Sequence, residues 1–207
     1  SYPERDVVQA VFQRHNDWIH DYTSHAPERL IGIACLPLPE VEAAIQELQR
    51  VARMGIRGAA IPCTAPPDKP YNHPDFEPFW AAADGTRAVV FVHPTTRGFD
   101  DPVFGRHYLW NAVGNPFETT IAAAEMTMAG VLERHPGLRV ILAHGGGALL
   151  ALRGRLRHAH EVLPDARSDL TESPLDSIRR FHFDTVTHDR DLLRALIDWA
   201  GADRVLL

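Results

Sequence analysis

The chain has 207 residues, 45% of them apolar, and a formal net charge of -6 from 27 acidic and 21 basic side chains. That length and composition allow one substantial buried core and exclude a fibrous or disordered chain. The basic residues form no aromatic-bearing stripe, which argues against a nucleic-acid partner, and no apolar run approaches the roughly 18 residues that cross a bilayer.

The opening residues SYPERDVVQA have neither the basic start nor the apolar block of a secretion signal, so the sequence reads as a cytoplasmic protein. Residues 7–22 carry a helical pattern. Six short apolar runs then alternate with longer amphipathic ones: LIGIACL (30–36), GAAIPC (58–63), AVVFVH (88–93), RVILAH (139–144), FHFDT (181–185) and RVLL (204–207). Near-continuous hydrophobicity predicts parallel strands covered on both faces, with helices packed outside.

Between the runs, Val41, Ile45, Leu48 and Ala52 form one helical face, Ile121, Ala124, Met128 and Leu132 a second, and Leu192, Leu193, Leu196 and Ile197 a third. Pro39 and Pro116 stand where helices begin; Gly55 and Gly201 stand where they end. Cys35 and Cys63 each lie inside an apolar stretch, as reduced core thiols rather than a CxxC clip. No repeat is present, and residues 1–207 read as a single domain.

This alternation suits either an open doubly wound sheet or part of a closed (β/α) barrel. No GxGxxG follows the first strand; the only glycine cluster, Gly145 to Gly147, follows the fourth. Ligand-capable residues instead end strands: His93, His144 and Asp184. In a (β/α) barrel those positions ring the catalytic mouth.

His93 ends VVFVH and precedes a proline that stops the strand, placing an imidazole where one nitrogen can bind a metal while the other is oriented by an acceptor. An ordinary rim histidine is the alternative. His144 is followed by three glycines that let the backbone turn sharply into a helix, and its neutral-range titration suits proton transfer. Tight packing of the glycines, with His144 as their cap, is the competing reading. Asp184 reads as a structural hydrogen-bonding group. Arg153, Arg155 and Arg157 share the following helix without sharing one face, so surface placement is their default. The remaining histidines read as surface or rim residues.

Seven ordered segments carry a resemblance: HNDW (15–18), PERLIGIACLPL (27–38), VVFVHP (89–94), GNPFETT (114–120), RVILAHGGG (139–147), FDTVTHD (183–189) and GADRVLL (201–207). In this order they resemble the amidohydrolase-related family, in the group of the α-amino-β-carboxymuconate-ε-semialdehyde and γ-resorcylate decarboxylases. The resemblance implies a (β/α)8 TIM barrel of the metal-dependent hydrolase type that holds one divalent ion, zinc or manganese. It implies that His93 is the fifth-strand metal ligand, that His144 is the proton-moving histidine, and that Arg155 meets a substrate carboxylate, in the semialdehyde decarboxylase across a dimer interface.

The family's HxH or ExH pair on the first strand and its final aspartate have no counterpart here, so the first strands and the end of the last strand unit are expected to be missing. A single histidine cannot hold a catalytic ion, which takes about three protein ligands. The chain alone is therefore expected to be inactive and, with an open sheet edge, prone to self-association. The implied activity is decarboxylation of a small carboxylated aromatic or enol/muconate-type acid by a homodimer or higher homo-oligomer. A metal-dependent lactone or amide hydrolase, and a non-catalytic binding barrel, are the alternatives.

Overall fold

A computed structural model describes residues 5–38, 40–64, 70–95 and 102–207. Six parallel strands form one sheet: β1 (Ile33–Cys35), β2 (Gly58–Pro62), β3 (Val89–His93), β4 (Arg139–Leu142), β5 (His182–Asp184) and β6 (Val205–Leu206). The spatial order is the chain order, β1-β2-β3-β4-β5-β6. Right-handed crossovers that always step the same way put every connecting helix on the same face of the sheet. A doubly wound sheet would reverse direction at some point, and this one does not.

Eight α-helices are described: α1 (Arg5–Thr23), α2 (Val41–Arg53), α3 (Glu77–Thr86), α4 (Asn115–Met128), α5 (Val131–Arg134), α6 (Leu149–Val162), α7 (Pro174–Ile178) and α8 (Arg190–Ala200). None is long and apolar enough to cross a membrane. Pro39, expected at the start of α2, lies outside the described residues. Pro116 is in the first turn of α4 as expected, where its missing N–H costs nothing. Helix α3 was not anticipated, because its first turn is masked by the proline-rich stretch before it.

The core lies between sheet and helices. Ala59, Ile61, Val90, Val92, Val140, Leu142 and Phe183 on the strands pack with Leu48, Phe79, Trp80, Met126, Leu132, Leu149 and Leu196 on the helices. Burial alternates along β3 and β4, so the expectation of two fully covered faces is corrected: Phe91 and Ile141 are only half-buried, and His93 and Arg139 are exposed. With the connecting helices on one side, the alternate side chains lie on the sheet's other face. On the two edge strands Ile33 and Leu206 are exposed.

The second helical face also needs correction. The pattern through Ile121, Ala124, Met128 and Leu132 is two helices, because Gly130 turns left-handed (φ 65°) between α4 and α5. Ile121 is exposed, and the buried face of α4 is Asn115, Glu118, Thr119, Ala122, Ala123 and Met126. Its spacing of three and four is helical, but its first half is polar.

The edge strand β1 is held from outside by α1. The Asn16 amide donates to the Cys35 carbonyl (2.9 Å) and accepts from the Cys35 N–H (2.8 Å), pairing with that peptide as a neighbouring strand would. Asn16 also donates to Glu47 (2.7 Å), which Arg50 grips with two further bonds of 2.8 Å. Both cysteines are free; Cys63 is buried and Cys35 half-buried.

Candidate active site

Two strand ends supply the site. His93 is the last residue of β3, on the face away from the buried Val90 and Val92, and its ring lies 5.5 Å from that of Phe91. Its Nδ1 is 2.7 Å from the Pro94 carbonyl oxygen. A carbonyl only accepts, so Nδ1 is the donor in this bond and Nε2 is the nitrogen left outside it.

After β4 the chain enters a tight turn, His144–Gly146, in which His144 and Gly145 are both left-handed (φ 58°). A non-glycine residue held there stores strain that its surroundings must over-determine. Asp184, at the end of β5, provides the determinant. Its carboxylate accepts from the N–H of His144 (3.1 Å), of Gly145 (2.8 Å) and of Val186 (3.0 Å). Both its oxygens are thus engaged by peptide groups, in line with the structural role read from the sequence.

Gly147 continues the turn at φ 63°, ψ -126°, a region essentially reserved for glycine. A Cβ here would run into the Pro116 carbonyl oxygen and the Thr120 hydroxyl, so the glycine lets the start of α4 close onto the turn. Thr120 in turn accepts from the Ala148 N–H at 2.8 Å.

This packing brings the imidazoles of His93 and His144 together, with ring centroids 5.6 Å apart and planes inclined by 40°. Burial holds His144 below the ordinary histidine pKa; the Asp184 carboxylate opposes the shift, and His93 and His188 add to it. Its Nδ1 faces the Thr119 hydroxyl at 3.3 Å. Thr119, fully buried on α4, was not singled out from the sequence. GNPFETT carried it, but the apolar face read for α4 pointed elsewhere.

Arg155 stands exposed on α6, and no described contact joins it to the two histidines. Arg153 lies over the Trp199 ring, 5.5 Å from its centroid, and Arg179 lies over the same ring at 5.1 Å. Among the other histidines, His135 pairs with Glu77 at 2.9 Å, and His160 meets the Leu170 carbonyl at 2.9 Å.

The donor chemistry fits a divalent cation in part. His93 has its Nδ1 oriented by a carbonyl, which leaves Nε2 as the nitrogen that could meet a metal. Among the described residues, no three His, Cys, Asp or Glu side chains are grouped to hold an ion. His93 has the chemistry of one possible ligand, and no further side chains of these types among the described residues gather with it to complete a site.

A singly wound parallel sheet with imidazoles at its strand C-termini is the arrangement of a (β/α) barrel. The chain belongs to the amidohydrolase family, whose model matches residues 4–207. It is 32% identical over 194 residues to a 2-amino-3-carboxymuconate-6-semialdehyde decarboxylase of Dictyostelium discoideum, covering 93% of this chain and 54% of that protein. It is 30% identical over 169 residues to a γ-resorcylate decarboxylase of Rhodococcus jostii, covering 75% of this chain and 51% of that protein. The chain thus spans about half the length of these curated relatives. The solved 2,6-dihydroxybenzoate decarboxylase from Rhizobium superposes with a TM-score of 0.87 at 26% identity, over 99% of this chain and 67% of that one.

Proposed function

We propose that this chain carries part of the active site of a metal-dependent decarboxylase acting on a small carboxylated aromatic or enol/muconate-type acid. The observation that carries the reading is the His93–His144 pair: two imidazoles 5.6 Å apart, each with Nδ1 engaged by the protein. The decarboxylases named above support the substrate class.

His93 would hold a divalent ion, zinc or manganese, through Nε2. When bound, that ion supplies positive charge for the substrate's carboxylate and neighbouring oxygen. His144, its pKa lowered by burial, takes up a proton from solvent at Nε2 and delivers it to the carbon that bears the carboxylate. Protonation there breaks the conjugation, and the electrons of the C–C bond flow back into the ring or enol system as CO2 leaves. Arg155, by the family resemblance, would meet a substrate carboxylate in the neighbouring subunit of a cytoplasmic homodimer.

The test is CO2 release by the whole protein from a panel of dihydroxybenzoate-type and muconate-type acids, before and after chelation. Release that stops on chelation and returns with zinc or manganese is the expected result. Replacing His144 by Asn should lower kcat by about 10²- to 10⁴-fold, the range of a lost general acid–base group. Ring opening of lactones or amides without CO2 release would shift the reading to a hydrolase. CO2 release indifferent to chelator would end the metal-dependent reading.

A further inference from the structure

The Thr119 hydroxyl is fully buried and has three polar neighbours. They are the Asn115 carbonyl oxygen one helical turn back at 3.2 Å, the His144 Nδ1 at 3.3 Å and the Cys63 Sγ at 3.6 Å. A hydroxyl has one proton to donate and two lone pairs to accept with. One donor and two acceptor places for three neighbours leave few ways to satisfy the group.

The carbonyl of Asn115 can only accept. Donation from a threonine hydroxyl to the carbonyl four residues back is the common local bond of a helix, and it uses the only hydroxyl proton. The other two neighbours must then donate. Cys63 does so as a thiol, because burial pushes its ionisation up to about 12 and the S–H stays on at neutral pH. His144 does so only if its proton is on Nδ1.

From this geometry we infer that Thr119 is a positioning residue that fixes the tautomer of His144, holding the ring proton on Nδ1 and leaving Nε2 bare. Among the described residues Nε2 has no hydrogen-bond partner, so it is the nitrogen free for proton transfer. The opposite tautomer would need the Thr119 proton on Nδ1 and would take the hydroxyl's bond away from the Asn115 carbonyl. It would also place a proton on the nitrogen that has to accept one. A buried neutral imidazole is worth most to catalysis with its lone pair toward the chemistry, and the neighbour of the other nitrogen decides this.

The inference rests on the proton-transfer role proposed for His144, but its first test does not. Nitrogen NMR of the whole protein with ¹⁵N-labelled histidine distinguishes protonated from bare ring nitrogens, and loss of signals in His144→Asn assigns the ring. At a pH where His144 is neutral, the wild-type ring should carry its proton on Nδ1. Thr119→Ser, which keeps the hydroxyl, should preserve that state, and Thr119→Val, which keeps the shape, should move the proton toward Nε2. In parallel, Thr119→Val should lose about 10- to 100-fold in kcat for CO2 release with KM little changed, as removal of an orienting partner typically does, and Ser should restore it.

A wild-type ring protonated on Nε2, or a Val variant with an unchanged tautomer, would overturn the assignment. If the Val protein does not fold, the wild-type and Ser spectra still decide. Absence of CO2 release by the wild type would strike the decarboxylase reading alone, whereas the spectra judge Thr119 by themselves.

Discussion

Asp184 and His144 are joined through the backbone rather than through the imidazole. One carboxylate oxygen accepts from the His144 N–H at 3.1 Å, and the other accepts from the Gly145 N–H at 2.8 Å. This clamp holds a histidine in the left-handed region, which a non-glycine residue occupies only at a cost. Removing it with Asp184→Ala should lower stability by about 1.5–3 kcal/mol, the worth of hydrogen bonds to a charged group. Urea unfolding measures this, and an unchanged midpoint would show that the turn holds itself.

The glycines after His144 make a paired prediction. Gly147→Ala forces a Cβ into the Pro116 carbonyl and into a backbone region that only glycine enters freely, so it should cost about 3 kcal/mol. Gly154→Ala, in the middle of α6 with open space around the new Cβ, should instead stabilise by roughly 0.5–1 kcal/mol through lower unfolded-state entropy. Thermal unfolding of the two variants should therefore move in opposite directions. Two shifts of the same sign would contradict this account of the glycine turn.

Gly145 to Gly147 were legible in the sequence, and so were all six strands, because a parallel sheet writes continuous apolar runs closed by turn residues. His93 and His144 were legible for the same reason, as polar groups at the ends of such runs. Thr119 was not. Apolar periodicity assumes that the buried face of a helix is apolar, and on α4 the face turned to the site begins with Asn115, Glu118 and Thr119. The reading therefore slid to Ile121, which is exposed. Asn16 was hidden in the same way: within HNDW nothing marks it as the side chain that pairs with β1, since its partner, the Cys35 peptide, is 19 residues away.

The network around Asn16 has a pH signature. Burial alone would raise the Glu47 carboxyl, but the bonds from Arg50 and Asn16 outweigh it and hold the group below its ordinary value of 4.5. A carboxylate whose folded pKa is depressed contributes stability that is fully present above the ordinary value. That contribution is lost as pH falls through the lower folded value. Stability measured by urea unfolding should thus decline below about pH 4.5, and Glu47→Gln should flatten that acid limb while lowering stability at pH 7. An acid limb of the same slope in both proteins would remove Glu47 from the list of groups responsible.

Arg155 supplies a prediction that depends on assembly. It is exposed on α6 and joined by no described contact to His93 or His144, so a role in substrate binding can be exercised in its own subunit's site or, as the family resemblance implies, in a neighbour's. In a symmetric dimer each site would then combine His144 of one subunit with Arg155 of the other. Arg155→Ala alone should raise KM for the carboxylate substrate, and His144→Asn alone should lower kcat. If the protein is such a dimer, mixing the two variants under conditions that exchange subunits, with activity read at substrate well below the raised KM, would produce heterodimers in which one site carries both lesions and the other carries neither. Random exchange would restore roughly a quarter of the wild-type sites. Recovery near that level establishes sharing across the interface. Absence of recovery, with subunit exchange confirmed by mass spectrometry, would place Arg155 outside the site or inside its own subunit's.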